Sequence, residues 1–248
     1  MSETDTDLWA RVLWDFHQGL PAVYGIRRDD GLLEDDHSPE VYFSEPAEFF
    51  PWEAGPLEAA RGPVLDVGAG TGRMTLWAQG RGLEVVAIES LPRVAELARA
   101  RGAVDVRVGR WEDLNRLLAP EERSFASVFL MGHNLGLGGT LPGLAELLRS
   151  LHAVSRPGAA LIATSIAFTA TDDTDRLRFQ EAQRDRGRYP GELVIRVEYQ
   201  GRVGPYFPWL LVEPDDLARV GRTSGWFLEQ VAQSEDAHYG AVLRRLGQ

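Results

Sequence analysis

The chain has 248 residues, 44% hydrophobic and 25% charged, with a formal net charge of −11 and a pI near 5.0. That balance excludes global disorder, and no apolar run approaches the roughly 18 residues of a membrane-spanning helix. Cysteine is absent and all 26 basic residues are Arg, which removes disulfides, thiolate metal sites, Schiff-base lysines and the lysine of a Walker loop. The start, Met1 to Asp7, is polar and acidic without an apolar leader, so a cytoplasmic chain is expected. The negative charge opposes phosphate contacts, and the cluster Arg184, Arg186, Arg188 is diluted by Asp185; neither nucleic acid nor membrane is an expected partner.

In chain order, Leu8, Trp9, Val12, Leu13, Phe16 and Leu20 set an amphipathic helix over Asp5 to Leu20. Residues 25 to 56 read as a loop-like flap, broken by Asp29, Asp30, Gly31 and four prolines and dense in aromatics (Tyr42, Phe43, Phe49, Phe50, Trp52). From Pro63 onward short apolar segments alternate with helical ones. Strands are predicted at Val64 to Val67, Glu84 to Ile88, Val104 to Val108, Ala126 to Met131 and Ala159 to Ile166. Helices are predicted up to Gln79, over Pro92 to Arg101, over Glu112 to Leu118 and over Leu141 to Val154. Such alternation predicts a parallel sheet with helices on both faces. After Phe168 a polar stretch leads to an alternating strand at Leu193 to Tyr199 and its hairpin partner in Tyr206 to Val212. A helix over Pro214 to Thr223 and strands at Trp226 to Ala232 and His238 to Arg244 end the chain.

One segment carries chemistry. Val64-Leu65-Asp66-Val67-Gly68-Ala69-Gly70-Thr71-Gly72 puts an acid near a strand end and three alternate glycines in the turn that follows. Glycine lets backbone approach a ligand closely, and the next helix offers free N–H groups. Glu89, ending the second strand, places a carboxylate where it can accept the two hydroxyls of a ribose. A dinucleotide fingerprint fails because Arg73 stands where a glycine belongs. A Walker loop fails for lack of lysine. No H-E-x-x-H or other metal spacing occurs among the five histidines, so no metal is expected.

The remaining pattern, D-x-G-x-G-x-G with an acid ending strand two, resembles the first motif of class I S-adenosylmethionine-dependent methyltransferases, and the resemblance extends from Pro63 to about Ser165. It implies a doubly wound, mostly parallel seven-stranded α/β sheet with an antiparallel C-terminal hairpin, to which the residues outside the resemblance add the N-terminal helical flap and the β-hairpin insert. It also implies S-adenosylmethionine as cofactor, with Asp66, Gly68, Gly70 and Gly72 near its methionine end and Glu89, with Ser90 beside it, on the ribose. The segment after strand three is Gly109-Arg110-Trp111-Glu112-Asp113. Arg110 stands where the family's adenine-binding aspartate is usual; Glu112 or Asp113 would substitute, and Trp111 could offer its backbone N–H or ring. The strand-four motif maps to Phe125 to Met131, which adds Met131 to the cofactor contacts.

Methyl transfer needs alignment and exclusion of water more than acid–base help. Where a base is needed, the candidate is His133 in Gly132-His133-Asn134-Leu135-Gly136, just past strand four; either His133 or Asn134 would lie near the acceptor. Together with the N-terminal flap, the hairpin aromatics Tyr199, Tyr206, Phe207 and Trp209 fit a cap over a small or peptide-like acceptor, and a small molecule is the expected one. One methyltransferase domain spanning 1–248 is expected: helix and flap at 1–56, cofactor core at 57–168, insert at 169–212, and terminal helix and strand pair at 213–248. A cofactor-binding protein without transfer remains a second reading because of Arg110, and a nicotinamide dehydrogenase a weaker third because of Arg73.

Overall fold

The computed structural model describes residues 7–169 and 171–247; the polar start expected to lack a leader lies, for residues 1–6, outside them. Its elements are α1 (Leu8–His17), β1 (Tyr24–Arg28), β2 (Leu33–His37), α2 (Pro51–Leu57), β3 (Val64–Val67), α3 (Arg73–Gly80), β4 (Val85–Glu89), α4 (Pro92–Ala100), β5 (Val106–Val108), α5 (Leu114–Leu117), β6 (Phe125–Leu130), α6 (Leu141–Val154), β7 (Ser155–Ile166), α7 (Thr174–Asp185), β8 (Glu192–Tyr199), β9 (Arg202–Val203), β10 (Phe207–Leu210), α8 (Pro214–Thr223), β11 (Trp226–Gln233) and β12 (His238–Arg245).

Seven strands form the central sheet in the order β11-β12-β7-β6-β3-β4-β5. β3 to β7 run parallel, while β12 is antiparallel to both β7 and β11. The parallel strands are short apolar runs because both faces are covered; all four residues of β3 and all six of β6 are buried. On one face Leu144, Leu147, Leu148 and Leu151 of α6 and Leu217 and Val220 of α8 close the main core with Trp226. On the other, Leu57, Met74 and Trp77 of α2 and α3 cover Val64, Phe129 and Ile162, and α1 lies over α4 through Ala10, Leu13, Val94 and Leu97. The chain winds outward from β3 to β5, then returns to β6 on the other side of β3. In open α/β sheets such a switch point, here at the carboxyl ends of β3 and β6, is where ligands bind.

The segment 25 to 56 departs from the expected loop. β1 and β2 are strands, and with β8, β9 and β10 they build a separate antiparallel sheet in the order β10-β8-β1-β2, β9 pairing with β8. β1 pairs with β8 from Gly25↔Glu198 to Arg28↔Ile195, and Arg27 and Glu198, 171 positions apart, join at 2.6 Å. Its polar alternation and a register shift between Tyr24 and Ile26 hide the strand locally. The partner strand that stabilises it comes from the insert. Tyr24, Val197 and Tyr199 face Leu8 and Val12 of α1, which fixes this second sheet beside the main body.

Candidate active site

The glycine loop leaves β3 with Gly68, Gly70 and Gly72 all at positive φ, from 57° to 81°. Gly70 has no neighbouring atom closer than 4.0 Å to where a Cβ would stand. Its outer surface is therefore open to a ligand, and its φ of 57° is one that a branched residue adopts only under strain. Gly68 is close-packed instead: a Cβ there would meet Asn134 Nδ2 at 2.5 Å. Asn134 donates through that nitrogen to Val67 O at 2.9 Å and Gly68 O at 2.7 Å. Its side-chain amide thus braces the loop from the β6 side, a role different from the acceptor contact expected for His133 or Asn134.

Glu89 meets the loop from β4. Oε2 accepts from Gly70 N at 3.0 Å and Oε1 from Leu91 N at 2.8 Å, with Ser90 Oγ at 3.4 Å. Only 7% exposed, its carboxyl has its pKa raised by burial, against the pull of these donors. Asp66 is further inside, 2% exposed, and takes the Thr75 hydroxyl at 2.6 Å. Burial pushes its pKa up to about 6, opposed by that hydrogen bond. The structure thus brings Gly68, Gly70, Glu89 and Ser90 to one rim and sets Asp66 behind it, tying β3 to α3.

Beyond β5, Arg110 does not turn inward. Its guanidinium pairs with Glu112 at 3.0 Å and both side chains are largely exposed, while its backbone N donates to Asp113 Oδ2 at 3.2 Å. Trp111 packs against the main core, and its indole Nε1 is buried without a hydrogen-bond partner among the described residues. An orphaned donor costs about 1–3 kcal/mol, and a ring nitrogen or carbonyl of a bound heterocycle would satisfy it. Met131 sits in the apolar cluster of Leu57, Val64, Met74 and Phe129 at 4% exposure, on the α2–α3 side of the sheet and away from the Trp111 cluster.

His133 follows β6 in the left-handed region at φ 63°, its backbone N donating to Thr164 Oγ1 at 2.8 Å. Its ring lies 5.8 Å from that of Trp52 at 18°, and its Nε2 is 3.3 Å from His238 Nδ1. Burial, then the neighbouring His238 and Arg73, push its pKa down to about 3, so at neutral pH it is an uncharged imidazole. Its Nδ1 is buried with no partner among the described residues. His238, expected to be one of several scattered histidines, opens β12 opposite Ile166. The antiparallel direction of that strand places its first residue at the carboxyl edge of β7, the signal that could have found it.

The N-terminal segment clamps this rim. Arg73 makes two hydrogen bonds to the Glu53 carboxylate, at 3.1 and 2.5 Å, with another to Ser44 Oγ at 3.1 Å. Thr71 donates its hydroxyl to Tyr42 O, and Arg101 donates to Thr71 O at 2.9 Å. No group of three or more metal-ligating side chains occurs among the described residues, and no helix there is long and apolar enough to cross a membrane.

Comparison with known proteins agrees with this geometry. Residues 64–158 match the methyltransferase-domain family model. A methyltransferase from Bacteroides fragilis, solved with S-adenosyl-L-homocysteine, superposes with a TM-score of 0.81 over 99% of this chain and 97% of its own, at 23% identity. An amino pentose methyltransferase from Micromonospora echinaspora (TM-score 0.53, 18% identity, 81% and 93% covered) and the 1,6-didemethyltoxoflavin-N1-methyltransferase of Burkholderia thailandensis (0.52, 17%, 100% and 93%) share the fold. No match is found among curated proteins. The match to the methyltransferase-domain model is confined to residues 64–158, and the chain as a whole has the fold of the class I methyltransferases.

Proposed function

We propose that this protein transfers a methyl group from S-adenosylmethionine to a small-molecule acceptor, with residues 1–248 acting as one catalytic domain. The observation that carries the reading is the rim in which Glu89 holds Gly70 N while the outer surface of Gly70 stays open. In this reading Glu89 and Ser90 hold the ribose hydroxyls, and the backbone of Gly68 and Gly70 approaches the methionine end. Trp111 supplies the buried indole donor for the base. Asp66 and Gly72 act on the cofactor through the shape of the loop, and Met131 through the packing beneath it. Arg110, paired with Glu112, leaves adenine recognition to Trp111.

The sulfonium of the bound cofactor supplies an already activated methyl group. The chain's own task is to orient the acceptor, exclude water and accept a proton where the acceptor carries one. His133, uncharged at neutral pH and beside the loop, is the group that accepts it. A small acceptor is supported by the second sheet, whose Trp209 packs onto Gly136 beside His133, a Cβ at that glycine coming within 2.3 Å of the indole. Two small-molecule enzymes among the structural relatives act on an amino pentose and on 1,6-didemethyltoxoflavin.

Calorimetric and thermal-shift titration with S-adenosylhomocysteine and NAD tests the reading. S-adenosylhomocysteine at 100 times its Kd should stabilise the fold by about 2.7 kcal/mol. A shift with NAD and none with S-adenosylhomocysteine would overturn it in favour of a dehydrogenase.

A further inference from the structure

We infer that His133 and His238 form a histidine pair sharing one proton, in which His238 is the outlet for the proton His133 takes from the acceptor. This rests on the methyl-transfer reading above. Three elements that are remote in sequence converge here. Trp52 of α2 lies against both rings, at 5.8 and 5.2 Å between centroids, and His133 Nε2 is 3.3 Å from His238 Nδ1. A contact of that length is a hydrogen bond when one nitrogen carries a hydrogen and the other presents a lone pair, the roles being set by the two tautomers. His133 Nδ1 is buried with no partner among the described residues. If Nε2 carries the hydrogen, Nδ1 is a bare lone pair, the form a proton acceptor needs. The left-handed backbone of His133, φ 63°, is a conformation few non-glycine residues adopt, and it directs the ring to this place.

The pair answers a difficulty in assigning His133 alone. A solitary imidazole so thoroughly desolvated, with Arg73 also bearing on it, disfavours the charged form. With His238 attached, the charge need not stay inside. The acceptor heteroatom keeps the electrons of its N–H or O–H bond and forms the bond to methyl, the C–S pair remaining on the departing thioether. The proton goes to His133 Nδ1 as His133 Nε2–H passes to His238 Nδ1, and the half-buried His238 sheds its Nε2 proton to solvent. A proton returning to His238 Nε2, the shared hydrogen moving back from His238 Nδ1 to His133 Nε2, and one proton leaving His133 Nδ1 to water restore the starting tautomers. The charged groups bearing on the pair are Arg73 of α3, itself bound to Glu53 of α2, and Asp236 in the turn before β12. The Asp236 carboxylate lies on the His238 side, where a positive charge is to be held.

Histidine-ring ¹⁵N NMR on the full chain, with and without S-adenosylhomocysteine, tests the inference. His133→Asn and His238→Phe serve for assignment, and the phenyl ring keeps the stack on Trp52. The expected result is Nε2 protonated and Nδ1 bare on His133, and a single proton taken up by the pair on acidification, appearing on His238. In His238→Phe the His133 Nε2–H signal should move and its ring should stop responding to pH above about 4, whereas a purely structural His238 would leave the His133 tautomer and titration unchanged. A proton on His133 Nδ1, or a His133 titration indifferent to His238→Phe, would overturn the pair. If the variants fold and bind S-adenosylhomocysteine as the parent does, that failure touches the pair alone. Absence of S-adenosylhomocysteine binding by the parent would instead remove the methyl-transfer reading beneath it.

Discussion

Arg73, the first residue after the glycine loop, holds the carboxylate of Glu53 through two hydrogen bonds while the two side chains are only 9% and 2% exposed. The same guanidinium stands 4.9 Å from the Phe49 ring centroid. The residue that spoils a dinucleotide fingerprint is thus the one that fastens the N-terminal segment onto the glycine loop. Removing one member of a buried pair leaves the other uncompensated, at a cost of about 3–5 kcal/mol. Glu53→Ala should therefore lose stability in that range by denaturant unfolding, and Arg73→Met with Glu53→Leu should lose much less. Equal losses for single and double variants would show the charge pair to be irrelevant.

Glu89→Gln keeps the shape of the side chain but removes the charge that Gly70 N, Leu91 N and a ribose would share. Affinity for S-adenosylhomocysteine should fall by about 1–3 kcal/mol, read by calorimetry. Gly70→Val should abolish binding, since a branched residue at φ 57° is strained and its methyls occupy the open surface of the loop. Unchanged affinity in both would place the ligand elsewhere.

Asp66 gives a pH signature. Its pKa is about 6 in the folded protein against 3.8 for the free side chain, so the folded state holds the proton more tightly than the unfolded one. The associated stability is fully present below about pH 4 and is lost as pH rises through about 6, at most about 3 kcal/mol. Asp66→Asn still accepts from Thr75 but does not titrate. The stability of the parent relative to this variant should drop between pH 4 and 6 and level off above; a flat difference across that window contradicts the buried-acid assignment.

For His133 the sign is opposite. A folded pKa of about 3 against 6.5 means that the stability it supports is present above pH 6.5 and is lost as pH falls toward 3. His133→Asn tolerates the left-handed backbone and has no such titration. Over pH 6.5 to 4.5 the parent should lose about 2–3 kcal/mol relative to it. With an acceptor in hand, the same variant should turn over about 10²- to 10⁴-fold more slowly at saturating substrate while its cofactor affinity holds. Full activity in the folded variant would end its role as base.

Gly136 and Trp209 make a steric test of the second sheet. A Cβ on Gly136 would lie 2.3 to 2.7 Å from the indole, and a rigid ring cannot yield that much without shifting β10. Gly136→Ala should cost about 1–3 kcal/mol and alter tryptophan fluorescence. Adding Trp209→Leu should recover part of the loss. An alanine variant as stable as the parent would show β10 to be loosely docked.

The sequence by itself determined the central sheet and the glycine-loop rim, because both rest on local rules. Short apolar runs between glycines and capped amphipathic stretches can be read from neighbours in the chain. α6 and α8 begin and end at the predicted residues, and α6 carries the Thr140 hydroxyl cap on Gly143 N at 3.1 Å. Gly68 and Gly70 likewise meet Glu89 because adjacent parallel strands end at one edge. Tertiary structure alone decided the rest. β1 is a strand because β8 supplies its hydrogen bonds from the far side of the chain, and β2 joins the sheet by pairing with β1. Whether Arg110 faced adenine or solvent depended on a choice between ligand and Glu112 that no spacing encodes. Trp52, His133 and His238 became one site because α2 crosses the sheet where β12 begins. Packing between distant elements, with the desolvation it imposes, gives those side chains their chemistry.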